Sequence, residues 1–300
     1  MNKTAGIEIT EYCNFRCIHC YLGEKNVHML SSEQFSMVVD ELENEGFLTL
    51  YLTGGEPLTH PEFCELYKIA KLRGFFVDVL TNGSLLSGKI LECLTELPPH
   101  SIEISIYAMK SETLAKVTGC KKLDIARGIV LNNAIEAHSR GIPVILKYVL
   151  MKQNVEELPP FLKLCSEHQI EYKIQVANLP QYTKNGLNVD FRLSPKVLGQ
   201  LIKQYNLPIN ITADGNGHKC DAGKSVYITA TGCICGCPIT RSVGYYLDPK
   251  QENRLSDYMQ ILTHYYSQYE NKLCPGWLAL EPEENIKKYL TDIEYYSNNS

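Results

Sequence analysis

The chain has 300 residues, 44% hydrophobic and 21% charged, a balance that suits a globular protein with one large domain or a large domain and a smaller one. Its net charge of −5 argues against a broad nucleic-acid-binding face, and no apolar run approaches the roughly 20 residues of a membrane helix. The first ten residues lack the charged-then-apolar order of a secretion signal, so no membrane partner and a cytoplasmic location are expected.

Gly6–Thr10 reads as a short strand. Ser31 and Gln34 have capping-box spacing, and Phe35, Val38, Val39 and Leu42 follow at helical spacing as far as Gly46. Leu48–Thr53 is the second expected strand, followed by a helix through Phe63, Leu66, Tyr67 and Ala70. Phe75–Leu80 is the third strand, closed by the turn signal Thr81-Asn82-Gly83. A helix over Leu86–Leu97 stops at Pro98 and Pro99. Ser101–Tyr107, Val144–Leu150 and Tyr172–Ala177 complete six strands, with helices over Leu123–Arg140 and up to about His168 between them.

Strands that alternate with helices imply a parallel sheet, and right-handed crossovers curl six such units into an open barrel. Chemistry in such folds sits at the C-terminal ends of the strands. Three polar motifs fall there: a cysteine cluster after strand one, Gly54-Gly55-Glu56-Pro57 after strand two, and Thr81-Asn82-Gly83 after strand three. Beyond Asn178 the alternation breaks. A helix is expected near Pro195–Tyr205, and short strands near Val226–Ala230 and Val243–Leu247 flank a Gly/Cys-rich turn. The chain turns helical from Glu252. The expected division is 1–180, a linking stretch 181–210, and a small C-terminal α+β unit 211–300.

Twelve cysteines in a reducing compartment point to metal or catalytic use for the clustered ones. Cys64, Cys93, Cys120 and Cys165 are scattered, and for these a packing role is the simpler reading. Cys13, Cys17 and Cys20 lie in one loop. Three close thiolates leave a tetrahedral site incomplete, whereas on a four-iron cubane they leave one iron open to an incoming ligand.

The segment Glu11-Tyr12-Cys13-Asn14-Phe15-Arg16-Cys17-Ile18-His19-Cys20-Tyr21, with its C-x3-C-x2-C spacing, resembles the radical S-adenosylmethionine (SAM) superfamily. The resemblance implies a partial (βα)6 barrel. It also implies a [4Fe-4S] cluster whose open iron binds SAM, and reductive cleavage of SAM to a 5′-deoxyadenosyl radical that takes a hydrogen atom from substrate. Gly54-Gly55-Glu56-Pro57 matches the family's GGEP motif, in which backbone groups and the Glu meet the SAM ammonium. By the same resemblance Ser105 and Lys147 reach the SAM ribose or carboxylate, Asn82 faces the same space, and His19 lies near adenine.

Glu103-Ile104-Ser105-Ile106-Tyr107, Val117-Thr118-Gly119 and Met151-Lys152-Gln153-Asn154 resemble enzymes that modify ribosomally made peptides. Cys220, eleven residues, Gly232, four residues and Cys237, with a late Leu273-Cys274-Pro275-Gly276-Trp277, resemble the cysteine-rich SPASM extension or its shorter form, the twitch domain. The resemblance implies one auxiliary [4Fe-4S] cluster on Cys220, Cys237 and Cys274. Cys235 or an incoming substrate completes it, or one thiol of Cys233-Ile234-Cys235-Gly236-Cys237 serves as a hydrogen-atom donor. A structural zinc knuckle is the alternative. The expected function is hydrogen-atom abstraction from a precursor peptide, giving a thioether, a C–C crosslink or an inverted stereocentre. The expected partners are a flavodoxin or ferredoxin as electron donor and, since the chain begins almost at strand one, either a separate peptide-recognition protein or direct contacts of the peptide with the barrel. Alternatives are a small-molecule dehydrogenase or isomerase, a maturase of another enzyme's side chain, and a non-catalytic iron–sulfur sensor.

Overall fold

The computed structural model describes residues 3–20, 22, 27–120, 128–176, 181–183, 186–207, 209, 225–241, 244–246, 254–268, 278 and 281–299. Six parallel strands, β1 (Lys3–Thr10), β2 (Phe47–Gly54), β3 (Phe76–Thr81), β4 (Ser101–Ile106), β5 (Val144–Leu150) and β6 (Glu171–Val176), lie side by side in sequence order. Between them run α1 (Ser32–Asn44), α2 (Phe63–Leu72), α3 (Gly88–Glu96), α4 (Ser111–Thr118), α5 (Ile129–Ser139) and α6 (Leu158–His168). This is the expected α/β fold with an unclosed, partial barrel. Among the described residues no helix is long and apolar enough to cross a membrane.

The alternation of the strands sorts their side chains. Ile7 and Ile9 of β1, Leu50 and Leu52 of β2, Val77 and Val79 of β3, Ile102 and Ile104 of β4, and Leu146 and Tyr148 of β5 pack with helix residues such as Phe35, Leu66, Leu94 and Phe161 in one core. The intervening positions share the other, inner face: Glu8 and Thr10, Tyr51 and Thr53, Glu103 and Ser105, Lys147, and Lys173, which pairs with Lys147 in register. A polar inner face on an apolar-backed sheet places chemistry inside the barrel.

The C-terminal part joins the same sheet. β9 (Val226–Ile228) runs parallel to β1, and β10 (Cys233–Cys235) and β11 (Gly244–Tyr246) follow antiparallel, giving the order β11-β10-β9-β1-β2-β3-β4-β5-β6. A separate hairpin, β7 (Gln181–Thr183) with β8 (Gly186–Asn188), and three helices, α7 (Pro195–Tyr205), α8 (Leu255–Ser267) and α9 (Glu283–Asn299), complete the chain. α7 and α9 pack closely at Gly199, where a Cβ would meet Tyr296 and the Ser297 backbone. Four elements depart from the sequence reading, the strands β7 and β8 among them, which fall where a linking stretch was expected. α4 was not expected, and β10 is a strand where a turn was expected.

The cysteine loop and the inner face as a candidate active site

The loop after β1 is held from both sides. Gly55 and Glu56 donate their backbone N–H groups to the carbonyls of Thr10 and Tyr12, each at 2.8 Å. Glycine is required here for proximity: a Cβ on Gly54 would overlap the Thr10 carbonyl, and one on Gly55 the Glu11 and Tyr12 carbonyls. On the other side, Arg16 N–H donates to Thr118 O at 2.7 Å and Ile18 N–H to Val117 O at 2.9 Å. Val117-Thr118-Gly119 thus has a concrete task at the end of α4, bracing the cysteine loop.

Cys13 and Cys17 are buried, Cys20 half-buried. All three gather around Tyr107. Burial pushes the Tyr107 hydroxyl well above its ordinary range, the Cys17, Cys13 and Cys20 thiolates add to this, and a hydrogen bond from Ser105 opposes it. Cys120, read from sequence as a packing residue, also lies against the Cys13, Phe15 and Cys17 cluster. Among the described residues no three His, Cys, Asp or Glu side chains converge tightly enough to share one metal ion. Thiols spread around a common centre suit a multi-iron cluster, whose irons take one thiolate each.

The remaining expected residues line the same edge. Glu56, 1% exposed, is a clasp between strand ends: its carboxylate accepts from Leu58 N at 3.1 Å and Asn82 N at 2.6 Å, and from the Thr81 hydroxyl. Asn82 reaches across to Asn14 of the cysteine loop. The His19 ring lies 5.2 Å from Tyr107 and 6.3 Å from Phe191. Ser105 stands in register with Lys147. Lys147 pairs with Glu103, whose other oxygen takes Lys173 at 3.1 Å. One carboxylate between two ammonium groups leaves this part of the inner face with a surplus positive charge.

In the C-terminal part, Cys220 and Cys274 lie outside the described residues. Cys235 pairs in register with Tyr227, is fully buried, and lies 3.4 Å from the Tyr227 carbonyl as a thiol donor. Burial, then the neighbouring Cys233, pushes its thiol up to about 12. Cys235 and the half-buried Cys237 both stand near Tyr51, whose hydroxyl burial and these thiolates push up to about 12. The cysteine-rich hairpin therefore faces the barrel interior.

Sequence reasoning missed Glu8, Arg241, Glu103, Lys173 and Phe191. Glu8 carried a signal, an acid in the apolar run Gly6-Ile7-Glu8-Ile9. It is fully buried and accepts from the Tyr227 hydroxyl at 2.9 Å, Ala230 N at 3.3 Å and Arg241 Nη2 at 2.9 Å. Arg241 also reaches Glu11 at 3.5 Å, so one guanidinium ties the hairpin to the strand that launches the cysteine loop.

Two of the scattered cysteines behave as core residues. Burial pushes the Cys93 thiol up to about 12 and the Cys165 thiol up to about 11. At pH 8 both are then overwhelmingly protonated thiols, the unreactive form. Both are expected to stay unmodified by iodoacetamide in the native protein while the unfolded chain labels fully, as read by peptide mass spectrometry. Rapid native labelling of either would contradict the assignment.

A parallel, unclosed α/β barrel with a three-thiol loop at its C-terminal edge defines a class of cofactor-dependent enzymes. Residues 7–165, just over half of the chain, match the radical SAM superfamily, and the protein belongs to that family, which uses an iron–sulfur cluster and SAM. It is 30% identical over 165 residues to the Fe-coproporphyrin III synthase of Methanosarcina barkeri, covering 54% of this chain and 40% of that protein. It is 27% identical over 191 residues to the PqqA peptide cyclase of Granulibacter bethesdensis, covering 61% and 49%. The chain thus spans less than half the length of these curated relatives. Among solved structures, Streptococcus suis SuiB bound to S-adenosylmethionine superposes with a TM-score of 0.69 at 16% identity, covering 90% of this chain and 68% of that one. SuiB has also been solved bound to its precursor peptide SuiA.

Proposed function

We propose that the protein modifies a ribosomally made precursor peptide. Cys13, Cys17 and Cys20 hold the [4Fe-4S] cluster, and Gly54, Gly55, Glu56, Asn82, Ser105, Lys147 and His19 surround SAM. Bound there, cluster and SAM would supply radical chemistry, the one-electron cleavage that starts hydrogen-atom abstraction from substrate. The protein's own part is to position and enclose. Gly54 and Gly55 let the Gly55 and Glu56 N–H groups reach the cysteine loop, His19 and Phe191 form an aromatic wall, and the surplus positive charge of Lys147 and Lys173 over Glu103 favours an anionic group on the inner face. Cys237, with Cys220 and Cys274, holds an auxiliary cluster, with Cys235 as candidate fourth ligand or hydrogen-atom donor. A low-potential flavodoxin or ferredoxin delivers the electron, and the peptide is recognised by the barrel itself or by a separate protein.

The observation that carries this reading is the seating of the cysteine-rich hairpin. β9–β11 continue the barrel sheet next to β1, and Cys235 and Cys237 stand beside Tyr51 on the inner face. Likeness to the PqqA peptide cyclase and to the fold of SuiB supports it. The test is substrate-dependent 5′-deoxyadenosine formation by anaerobically reconstituted protein, comparing pools of 20- to 40-residue synthetic peptides (~30 residues on average) with amino sugars and amino alcohols. A peptide is expected to raise turnover at least about tenfold and to lose two hydrogens, or to take up solvent deuterium. Turnover supported by small molecules alone would overturn the peptide reading.

A further inference from the structure

We propose that Asn82 is a positioning residue for the Cys13 thiolate and donates an N–H to its sulfur, raising the reduction potential of the cluster. The inference rests on Cys13 being a cluster ligand, as proposed above. A carboxamide offers two donors at one end and an acceptor at the other, so its partners decide which way it points. Asn82 Oδ1 accepts from Ser84 N at 2.9 Å and from Ser84 Oγ at 2.6 Å. Turning the amide over would set donor against donor at the Ser84 backbone. Nδ2 is therefore the end that faces the cysteine loop.

One Nδ2 hydrogen goes to Asn14 Oδ1 at 2.9 Å. Asn14 in turn donates to Ser84 Oγ at 2.8 Å, so Asn82, Asn14 and Ser84 close a ring that spans the β3 turn and the cysteine loop. The other Nδ2 hydrogen is left on the side of Cys13 Sγ, which lies 4.0 Å from Nδ2, the outer reach of an N–H···S contact. Phe15 N–H reaches the same sulfur at 3.3 Å. The Asn82 backbone is itself pinned, its N–H on Glu56 Oε2 at 2.6 Å, and the residue is 5% exposed. Burial makes a dipole aimed at a charged sulfur effective, because little water competes with it.

Reduction adds an electron to the cluster and negative charge to its sulfurs. An N–H donor on a ligand sulfur favours that state, which is how outer groups tune iron–sulfur potentials. Asn82→Leu removes the donor, and Asn82→Asp keeps the shape while placing an acceptor and a charge at the same point.

The experiment is a potentiometric titration of full-length wild type, Asn82→Leu and Asn82→Asp after anaerobic reconstitution, following the reduced signal that SAM perturbs and counting iron and sulfide. Both variants are expected to retain wild-type iron and to titrate at a more negative midpoint. The shift corresponds to at least a tenfold change in the reduction equilibrium, about 59 mV for one electron, and is larger for Asp than for Leu. If Asn82→Leu fails to fold, the isosteric Asn82→Asp carries the test. An unchanged midpoint at full iron content would overturn the proposal. A wild type that takes up no iron would instead remove the cluster reading, and this inference with it.

Discussion

Replacement of Cys13, Cys17 and Cys20 together by Ala is expected to abolish SAM cleavage, with 5′-deoxyadenosine formation falling about 10³-fold or more. Each single Cys→Ala variant is expected to fall nearly as far, because groups that act as one unit are lost as one unit. The fold should survive. Cys13 and Cys17 pack against Phe15, and trading a thiol for a methyl group there leaves only a small void. The loop keeps its backbone bonds to Gly55, Glu56, Val117 and Thr118, none of which involves a thiol. Circular dichroism and a thermal melt close to wild type, alongside lost turnover, make up the expected result. Triple-variant turnover near wild type would show that these thiols do not serve the reaction.

Glu8→Leu is expected to destabilise the protein by about 3–5 kcal/mol, the range for removing one partner of a buried ion pair. Glu8 is fully buried, and its loss removes the acceptor of the Tyr227 hydroxyl's bond and that of the Ala230 N–H; a buried donor left unsatisfied costs roughly 1–3 kcal/mol. Arg241 is 31% exposed and can turn toward Glu11 and water, which moderates the loss. The damage should be directional. β9 detaches from β1 more easily than the remaining strands part from one another, since the three donors on Glu8 all come from residues 227–241. Urea unfolding measures the total, and hydrogen exchange at Val226–Ile228 measures the local part. A variant as stable as wild type would contradict the view that Glu8 fastens the C-terminal hairpin to the barrel.

What sequence could and could not reveal follows from the range of the interactions involved. Val144–Leu150 and Pro195–Tyr205 were read with their observed limits. The first is a run of apolar residues that a buried parallel strand requires, and the second starts at Ser194, which caps Val197 N through its side chain. α4 was missed because nothing local announces it. Lys110 precedes it without a side-chain cap, and the N–H groups of Met109 and Lys110 that lead into it find their acceptor in Glu157, far along the chain, at 3.0 Å from Lys110 N. β10 was read as a turn because a three-residue strand has no periodicity of its own. It exists by pairing with β9 and β11.

The candidate site divides the same way. Motifs whose parts lie within a few residues, the three cysteines and Gly54-Gly55-Glu56-Pro57, were legible. Pairs that only folding brings together were not: Glu8 with Arg241, Glu103 with Lys173, His19 with Phe191. Glu56 shows the limit within a legible motif. The family resemblance implied a partner for an ammonium group, whereas the structure also gives it three partners within the chain, on Leu58, Thr81 and Asn82.

The central claim, that SAM binds a cluster carried by the loop after β1, is tested most directly by electron paramagnetic resonance of the reduced, reconstituted protein with and without SAM. SAM binding at an open iron is expected to change the g-values of one signal in the wild type, and that signal is expected to be missing from the Cys13/Cys17/Cys20→Ala variant. A wild-type spectrum unaltered by saturating SAM, or an altered signal that persists in the triple variant, would contradict it.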